Sequence, residues 1–411
     1  MPAVVTTTPT IRKTALNAVH RQMGAKMVEF NGWDMPVEYP SAGGIIAEHN
    51  AVRTGVGIFD VSHMGDIRLQ GPQALAAVQH ISMNDPSRLA IGQAQYSALL
   101  YPQGTFVDDV IVHRLEEDDY LLVINAGTRE KDFSWVRDNT RQFDCKVENL
   151  SDDFTQIAIQ GPKAVDLLEK LHHDLVDVPI TDPNVRAPFQ KLKIDADFSS
   201  VKFYWVTHGR MLTMTGNLRR YDDNILIART GYTAEDGFEI YVPADETISA
   251  LVWNGLLATG KELGALPCGL GARNTLRLEG KLPLYGHEIS DTINVWEAGL
   301  DRFCKIEKPE FIGRDALEKA KSAGLKRTLV GLEMVERGIA RDGYKVLDNN
   351  GKEIGYVTSG SYAPFLKKNI ALAYVPPELG NIGSTLKVEI RGQGVAAKVV
   401  PTPFYKRPKK Q

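Results

Sequence analysis

Two adjacent acids interrupt the apolar run Phe106-Val-Asp-Asp-Val-Ile-Val112. Such a run reads as a β-strand, where successive side chains take opposite faces, so Asp108 and Asp109 must point apart. One can be solvated while the other faces the interior, where a carboxylate is costly unless it is paired or put to use. Asp109 shares a face with Val107 and Ile111 and is the better choice for the inner one. A hydrogen-bonded acid in a turn or bulge is the plain alternative.

A third carboxylate, Glu239, lies between Phe238 and Ile240 in the strand that follows the glycine turn of Arg229-Thr-Gly-Tyr-Thr-Ala-Glu-Asp-Gly-Phe-Glu-Ile240. By the same alternation it can face inward at the mouth of a cavity, with a surface strand acid as the alternative. Glu235 and Asp236 read as ordinary turn acids. Farther on, Cys268-Gly-Leu-Gly-Ala-Arg-Asn274 opens a helix, which puts Arg273 near its N-terminus. The N–H groups and dipole at that end, with a guanidinium, could clamp a carboxylate. Arg277 can share the face or pair within the helix. Gly269-Leu-Gly271 lacks the third glycine and the preceding strand of a dinucleotide fingerprint. His63 in Asp60-Val-Ser-His-Met64 suggests Ser/His chemistry, but no Gly-x-Ser-x-Gly elbow accompanies it, and it reads as a satisfied core histidine. His49, His113 and His287 lack metal-ligand spacing, and no metal is expected.

The elements that must position these residues follow from periodicity. Residues 42–53 read as a helix with Ile45, Ile46, His49 and Val52 on one face. Residues 67–78 and 157–168 repeat one pattern, an apolar strand, Gln-Gly, and a proline at the expected first helical position. Between them, 95–100 and 106–113 pair around Pro102-Gln103-Gly104, 119–125 extends the sheet, and 128–143 is a helix. Residues 201–241 are strand-rich, and helical patterns return at 247–263 and 272–278. After Gly324, short alternating strands between Gly, Asn and Pro turns predict a small β-barrel or sandwich. The boundary falls near 308–325, in a short helical segment after Phe311-Ile-Gly313.

At 411 residues the chain exceeds one ordinary core, so two or three domains are expected. A formal net charge of -3 gives no electrostatic reason to expect nucleic acid. The basic tail Lys406-Arg-Pro-Lys-Lys410 reads as a frayed terminus. Three widely spaced cysteines, Cys145, Cys268 and Cys304, fit neither a disulfide framework nor a zinc site and point to a reducing compartment. Met1 to Thr10 lacks a secretory apolar core, and no stretch approaches the roughly 18 apolar residues of a membrane span, so a cytoplasmic location is expected.

Several longer motifs, in order, resemble the T-protein (aminomethyltransferase) family of the glycine cleavage system. They are Gly24-Ala-Lys-Met-Val-Glu-Phe-Asn-Gly-Trp-Asp-Met-Pro36, Gly57-Ile-Phe-Asp-Val-Ser-His-Met-Gly65, Val107-Asp-Asp-Val-Ile111, Gln160-Gly-Pro162, Thr230-Gly-Tyr-Thr233 and Gly269-Leu-Gly-Ala-Arg273. Leu284-Tyr-Gly286 and Thr358-Ser-Gly360 extend the likeness toward Arg407. The resemblance implies an α+β fold, a three-domain cloverleaf around a central folate cavity. Residues 14–308 would form two interleaved α+β domains and 325–407 a C-terminal β-barrel. It implies a tetrahydrofolate-dependent one-carbon transferase that takes an aminomethyl group from the lipoyl arm of H-protein, releases ammonia and forms 5,10-methylenetetrahydrofolate. Asp109 would be the essential acid beside the reactive folate nitrogens, and Glu239 would pair with the pterin edge. Met64, Tyr96, Asn125 and Tyr232 would line the cavity, and Arg273 would be a basic ligand of the folate.

Two positions depart from the family pattern. Asn274 stands where the family usually has Asp, and residues 191–224 exceed the usual hairpin, which suggests an elongated surface hairpin. A folate-dependent demethylase of a small methylated compound would keep the fold and Asp109. A folate-binding iron–sulfur assembly factor would carry a Lys-Gly-Cys-Tyr-x-Gly-Gln-Glu segment, and the comparable Leu284-Tyr-Gly-His-Glu288 has no cysteine.

Overall fold

In the computed structural model, which describes residues 11–181 and 186–408, the strands assemble into two large sheets, a small hairpin and a closed barrel. Met1 to Thr10 and the last lysines, Lys409 and Lys410, lie outside the described residues. The chain crosses between the sheets more than once. Val56–Asp60 joins an eight-stranded sheet, and Gly65–Gln70 then starts a five-stranded antiparallel one. The chain stays there through Lys146–Asn149 before Phe154–Gln160 returns to pair with Val56–Asp60.

The five-stranded sheet runs Gln93–Leu100, Phe106–Glu116, Asp119–Ile124, Gly65–Gln70, Lys146–Asn149. The larger sheet is antiparallel except at one edge, where Ala265–Cys268 runs parallel to Val56–Asp60. Thr328–Val400 forms the six-stranded barrel, closed by pairing of Thr328–Met334 with Gln393–Val400. The brief strand Lys345–Leu347, too short to show an alternating pattern, is part of that barrel.

The repeated strand–turn–helix unit is present in both sheets, as Gly65–Gln70 with Ala74–Ile81 and Phe154–Gln160 with Ala164–His173. Each proline, expected at the first helical position, sits two residues before it. Pro72 and Pro162 lie inside a turn closed by Ala74 N to Gly71 O at 2.9 Å and Ala164 N to Gly161 O at 3.1 Å, and the helices begin after it. The first helix of the sheet region, Gly44–Thr54, buries Glu48, His49 and Val52 but leaves Ile46 exposed, so its inner face is rotated from the expected one.

Besides the barrel's own interior around Leu332, Val346 and Val399, apolar cores lie under each sheet and between the smaller sheet and the barrel. Ile157, Ile159, Phe238 and Ile240 pack on Leu167, Leu171 and Trp253 under the larger sheet. Ile67, Leu69, Val110 and Val112 meet Val78 and Ile81 under the smaller one. Ala98, Phe106, Ile293, Leu317 and Leu372 form a shared core that joins the smaller sheet to the barrel. The C-terminal segment is pinned rather than frayed as far as Arg407. The Tyr405 N–H donates to Glu279 O at 2.8 Å, its ring stacks on Arg53 at 3.9 Å, and Arg407 lies 3.4 Å from Asp236.

Candidate active site

The acid pair sits where a bulge breaks the pairing of Gln93–Leu100 with Phe106–Glu116. Leu99 pairs with Asp108 and Leu100 with Phe106, so Val107 is the extra residue. That bulge puts Val107 into the same core as Val110 and Val112, on the face opposite the one alternation predicts. Asp109 and Ile111 do share a face, and both line a cavity. Asp108 is not the solvated partner expected from the sequence. It is fully buried, and its oxygens accept from Asn125 Nδ2 at 2.8 Å, Thr128 Oγ1 at 2.6 Å and Asp109 N at 2.9 Å.

Asp109 is held from two sides. The Tyr96 hydroxyl donates to Oδ2 at 3.1 Å from the neighbouring strand, and the Asn125 amide donates to Oδ1 at 2.8 Å. Burial, with the Asp108 charge behind it, pushes the Asp109 carboxyl up to about 7. An acid poised there can hold or release a proton near neutrality.

Glu239 reaches the same cavity from the larger sheet, paired in register with Ala158 and Ala228. It accepts a short hydrogen bond from Thr230 Oγ1, and burial raises its carboxyl above the usual range. Glu235 and Asp236 are not ordinary turn acids. Both are buried, Glu235 3.1 Å from Arg53 and Asp236 2.7 Å from Arg229, so they fix the turn before Glu239. Gln160 fixes it from beneath, donating to Thr230 O at 3.0 Å and accepting from Thr233 Oγ1 at 2.8 Å. A Cβ at position 231 would lie 1.9 Å from Gln160 Oε1, so only glycine lets the two motifs meet.

Arg273 enters from the helix Leu270–Glu279, its guanidinium 4.6 Å above the Tyr232 ring and 3.9 Å from the Met64 sulfur. One N–H at the entry to that helix is taken, since Gly269 N–H donates to Glu48 Oε2 at 2.9 Å. Arg273 presents its side chain to the cavity. Arg277 turns away from the cavity to Glu288 at 2.7 Å and Ser359 Oγ at 2.7 Å. Asn274 Oδ1 accepts from Arg277 Nε at 2.9 Å, which gives the neutral residue at that position a partner.

Met64, Tyr96, Asp109, Asn125, Tyr232, Glu239 and Arg273 thus surround one cavity, whose empty space including its mouth is about 960 Å³. Among residues the sequence did not single out, Tyr204 is the most telling. It projects into the cavity from the segment 191–224, with a left-handed φ of 61°, and burial pushes its phenol up to about 12. The aromatic triplet Phe203-Tyr204-Trp205 was the available signal. That segment is therefore more than a surface hairpin, although its tip does expose Leu218 and Tyr221.

A second cavity of about 690 Å³ adjoins the first and shares Met64, Asn125 and Arg273 with it. Its other walls include Phe30 and Asn31 at the turn of the hairpin Lys26–Glu38, and Tyr285. His63 also lines it and is not a satisfied core histidine. Neither ring nitrogen has a hydrogen-bond partner among the described residues, and burial beside Arg273 holds the imidazole down near about 3, hence neutral. Ser62 donates instead to Asp60 at 2.6 Å, so no Ser/His pair exists. Among the described residues no group of three or more His, Cys, Asp or Glu is placed to hold a metal ion.

Two helix-backed sheets enclose a cavity lined by acids and aromatics, with the barrel packed beside them, and comparison with known proteins places this arrangement among the aminomethyltransferases. The GCVT N-terminal domain model matches residues 16–182 and 172–308, and the glycine cleavage T-protein C-terminal barrel domain model matches 327–406. An aminomethyltransferase of Koribacter versatilis is 67% identical over 400 residues, covering 97% of both chains. One from Desulfitobacterium hafniense is 45% identical over 399 residues, covering 97% of this chain and 99% of its own. The crystal structure of the glycine cleavage system aminomethyltransferase T from Bartonella henselae superposes with a TM-score of 0.83 at 31% identity, covering 96% of this chain and 98% of that one. The chain belongs to the glycine cleavage T-protein family of aminomethyltransferases.

Proposed function

We propose that the chain transfers the one-carbon unit of an aminomethyl-lipoyl group, carried by H-protein, to tetrahydrofolate. In the balanced reaction the carbon's bonds to sulfur and to nitrogen break, and two bonds to folate nitrogens form. The two folate N–H protons leave with the lipoyl thiol and with ammonia. The observation that carries this reading is Asp109, held between Tyr96 and Asn125 in a cavity whose far wall presents Glu239 and Arg273.

The cavity suits a folate in size and chemistry. A volume of several hundred Å³ with aromatic walls and a few polar anchors is typical of a small-molecule site. Glu239 offers acceptor oxygens to the adjacent ring N–H and amino donors of a pterin edge, and Arg273 offers a planar donor fork to an acceptor. Asp109 orients an attacking nitrogen and takes its proton, a positioning and general acid/base role. Residues 14–308 serve as the folate-binding region, within which every cavity-lining residue falls, and 325–407 as the barrel packed against it.

We assign entry of the lipoyl arm to the second cavity, which shares Met64, Asn125 and Arg273 with the first. No described helix is long and apolar enough to cross a membrane, and we place the enzyme in the cytoplasm with its carrier protein. The test follows methylenetetrahydrofolate and ammonia in reactions with and without aminomethylated, lipoylated H-protein. Product in both channels only when H-protein is supplied is the expected result. Rapid methylation of folate from a free methylated compound, indifferent to H-protein, would replace this reading with a demethylase.

A further inference from the structure

Behind the acid pair lies a third carboxyl that the reaction above does not use. Asp132, on the helix Arg129–Asn139, is fully buried and faces Asp108, with Thr128 at its side. Neither of its oxygens receives a hydrogen bond from any donor among the described residues. Asp108 shows the opposite arrangement. Its two oxygens accept from Asn125 Nδ2, Thr128 Oγ1 and the Asp109 N–H, with Asn125 N farther off at 3.4 Å. One carboxyl is thus crowded with donors, while its neighbour has beside it only the Lys131 ammonium, 3.5 Å from Oδ1, and the Thr128 hydroxyl, whose proton goes to Asp108. Two ionised carboxylates in contact in a buried site repel strongly, and the pair is satisfied when the donor-poor member carries the proton itself.

We propose that Asp132 is a positioning residue: it stays protonated at neutral pH, donates to Asp108, and through Asp108 and Asn125 fixes the orientation of Asp109. The linkage is continuous, since the same Asn125 Nδ2 lies 2.8 Å from Asp108 Oδ1 and 2.8 Å from Asp109 Oδ1. Burial and the Asp108 charge push the Asp132 carboxyl up to about 10, in agreement with the geometry. One cation stands nearby. Lys131 Nζ is 3.5 Å from Asp132 Oδ1, but its hydrogen bonds go to Val107 O and to Tyr285 Oη at 3.2 Å. The other charged or titratable groups facing this chain of residues are Tyr285, and around Asp109 the phenols of Tyr96, Tyr204 and Tyr232 with Arg273.

This inference rests on Asp109 as the reacting acid, but its first test does not need activity. The infrared spectrum of the wild type minus that of Asp132→Asn at neutral pH should leave a protonated-carboxyl C=O stretch, separate from the bands of the other raised acids Asp66 and Asp109. Absence of that band in the wild type, or its survival in Asp132→Asn, overturns the proposal even if the enzyme proves to be an aminomethyltransferase.

The second test is kinetic. Asp132→Asn keeps a neutral donor against Asp108, so turnover should stay within about threefold and the acidic limb of the pH profile should not move. Asp132→Leu removes the donor, and turnover should fall by about tenfold or more with the acidic limb displaced. Displacement of the limb in Asp132→Asn would mean that Asp132 is ionised against Lys131, which overturns the idea. A leucine variant indistinguishable from wild type would do the same. If Asp132→Leu fails to fold, the infrared band and the asparagine profile decide.

Discussion

The Asn125 amide donates to Asp109 Oδ1 at 2.8 Å, so the acid that faces the cavity is oriented by a residue from the end of the adjacent strand pair rather than from its own strand. Because Tyr96 takes the other oxygen, the carboxyl plane is fixed before any ligand arrives. Preorganisation of this kind makes a single carboxyl sufficient for proton handling.

Asp109→Asn should leave reduced-folate binding largely intact and lower turnover by orders of magnitude, while Asp108→Asn should be milder. With the Asp109 carboxyl raised to about 7, the charged form is lost as pH falls through that value, so activity should decline on the acid side near 7. Asp108→Asn removes the adjacent negative charge and should move that limb to lower pH. Steady-state rates across pH test this, and equal losses for both variants would refute the assignment.

Glu239→Ala should weaken reduced-folate binding by roughly 2–4 kcal/mol, on the order of a hundredfold in Kd, with Glu239→Gln intermediate. Gln keeps one acceptor but brings a donor toward the donors of a pterin edge. Calorimetric titration with a reduced folate measures it. An unchanged constant for the alanine variant would leave Glu239 as a structural partner of Thr230 alone.

Arg277 and Glu288, 2.7 Å apart and almost wholly buried, join the helix of Arg273 to Ser359 of the barrel. Arg277→Met leaves the buried Glu288 without its counter-ion, keeping only its hydrogen bonds from Thr358 and Leu284, and should cost roughly 3 kcal/mol of stability. The double variant Arg277→Met/Glu288→Met should recover much of that loss. Denaturant midpoints of the three variants check the coupling, and a double variant as unstable as the single one would contradict it.

Turnover with H-protein should fall as ionic strength rises, through KM more than kcat, because a carrier that visits several enzymes is held by polar, transient contacts. Rates at 0.05 and 0.5 M salt, on the order of the range where screening becomes strong, suffice. A KM indifferent to salt would point to an apolar docking face instead.

Local rules in the sequence settled a good deal. Period-two alternation put Asp109 and Ile111 on one face and Glu239 on the face opposite Phe238 and Ile240, leaving open whether that face meets solvent or a cavity. Glycine and proline punctuation placed the strand–turn–helix repeat and the strands of the barrel, because those residues act through their own backbone torsions. What alternation could not say was what covers each face. Asp108 was expected in water, and it is buried because Thr128 and Asp132, some twenty residues on, close over it. Asn274 gains its meaning from Arg277, and that side chain is held by Glu288 and by Ser359 of the barrel. Tyr204 enters the cavity only because the Phe203–Trp205 turn pairs back onto Gln93 and Ala94, far earlier in the chain. The sequence determined which way side chains point along an unbroken strand, a matter of backbone geometry over a few residues, but not where the bulge at Val107 shifts the alternation. Tertiary structure alone decided what each one meets, since burial, charge and hydrogen bonding at Asp109 come from segments that are remote in the chain and adjacent only after folding.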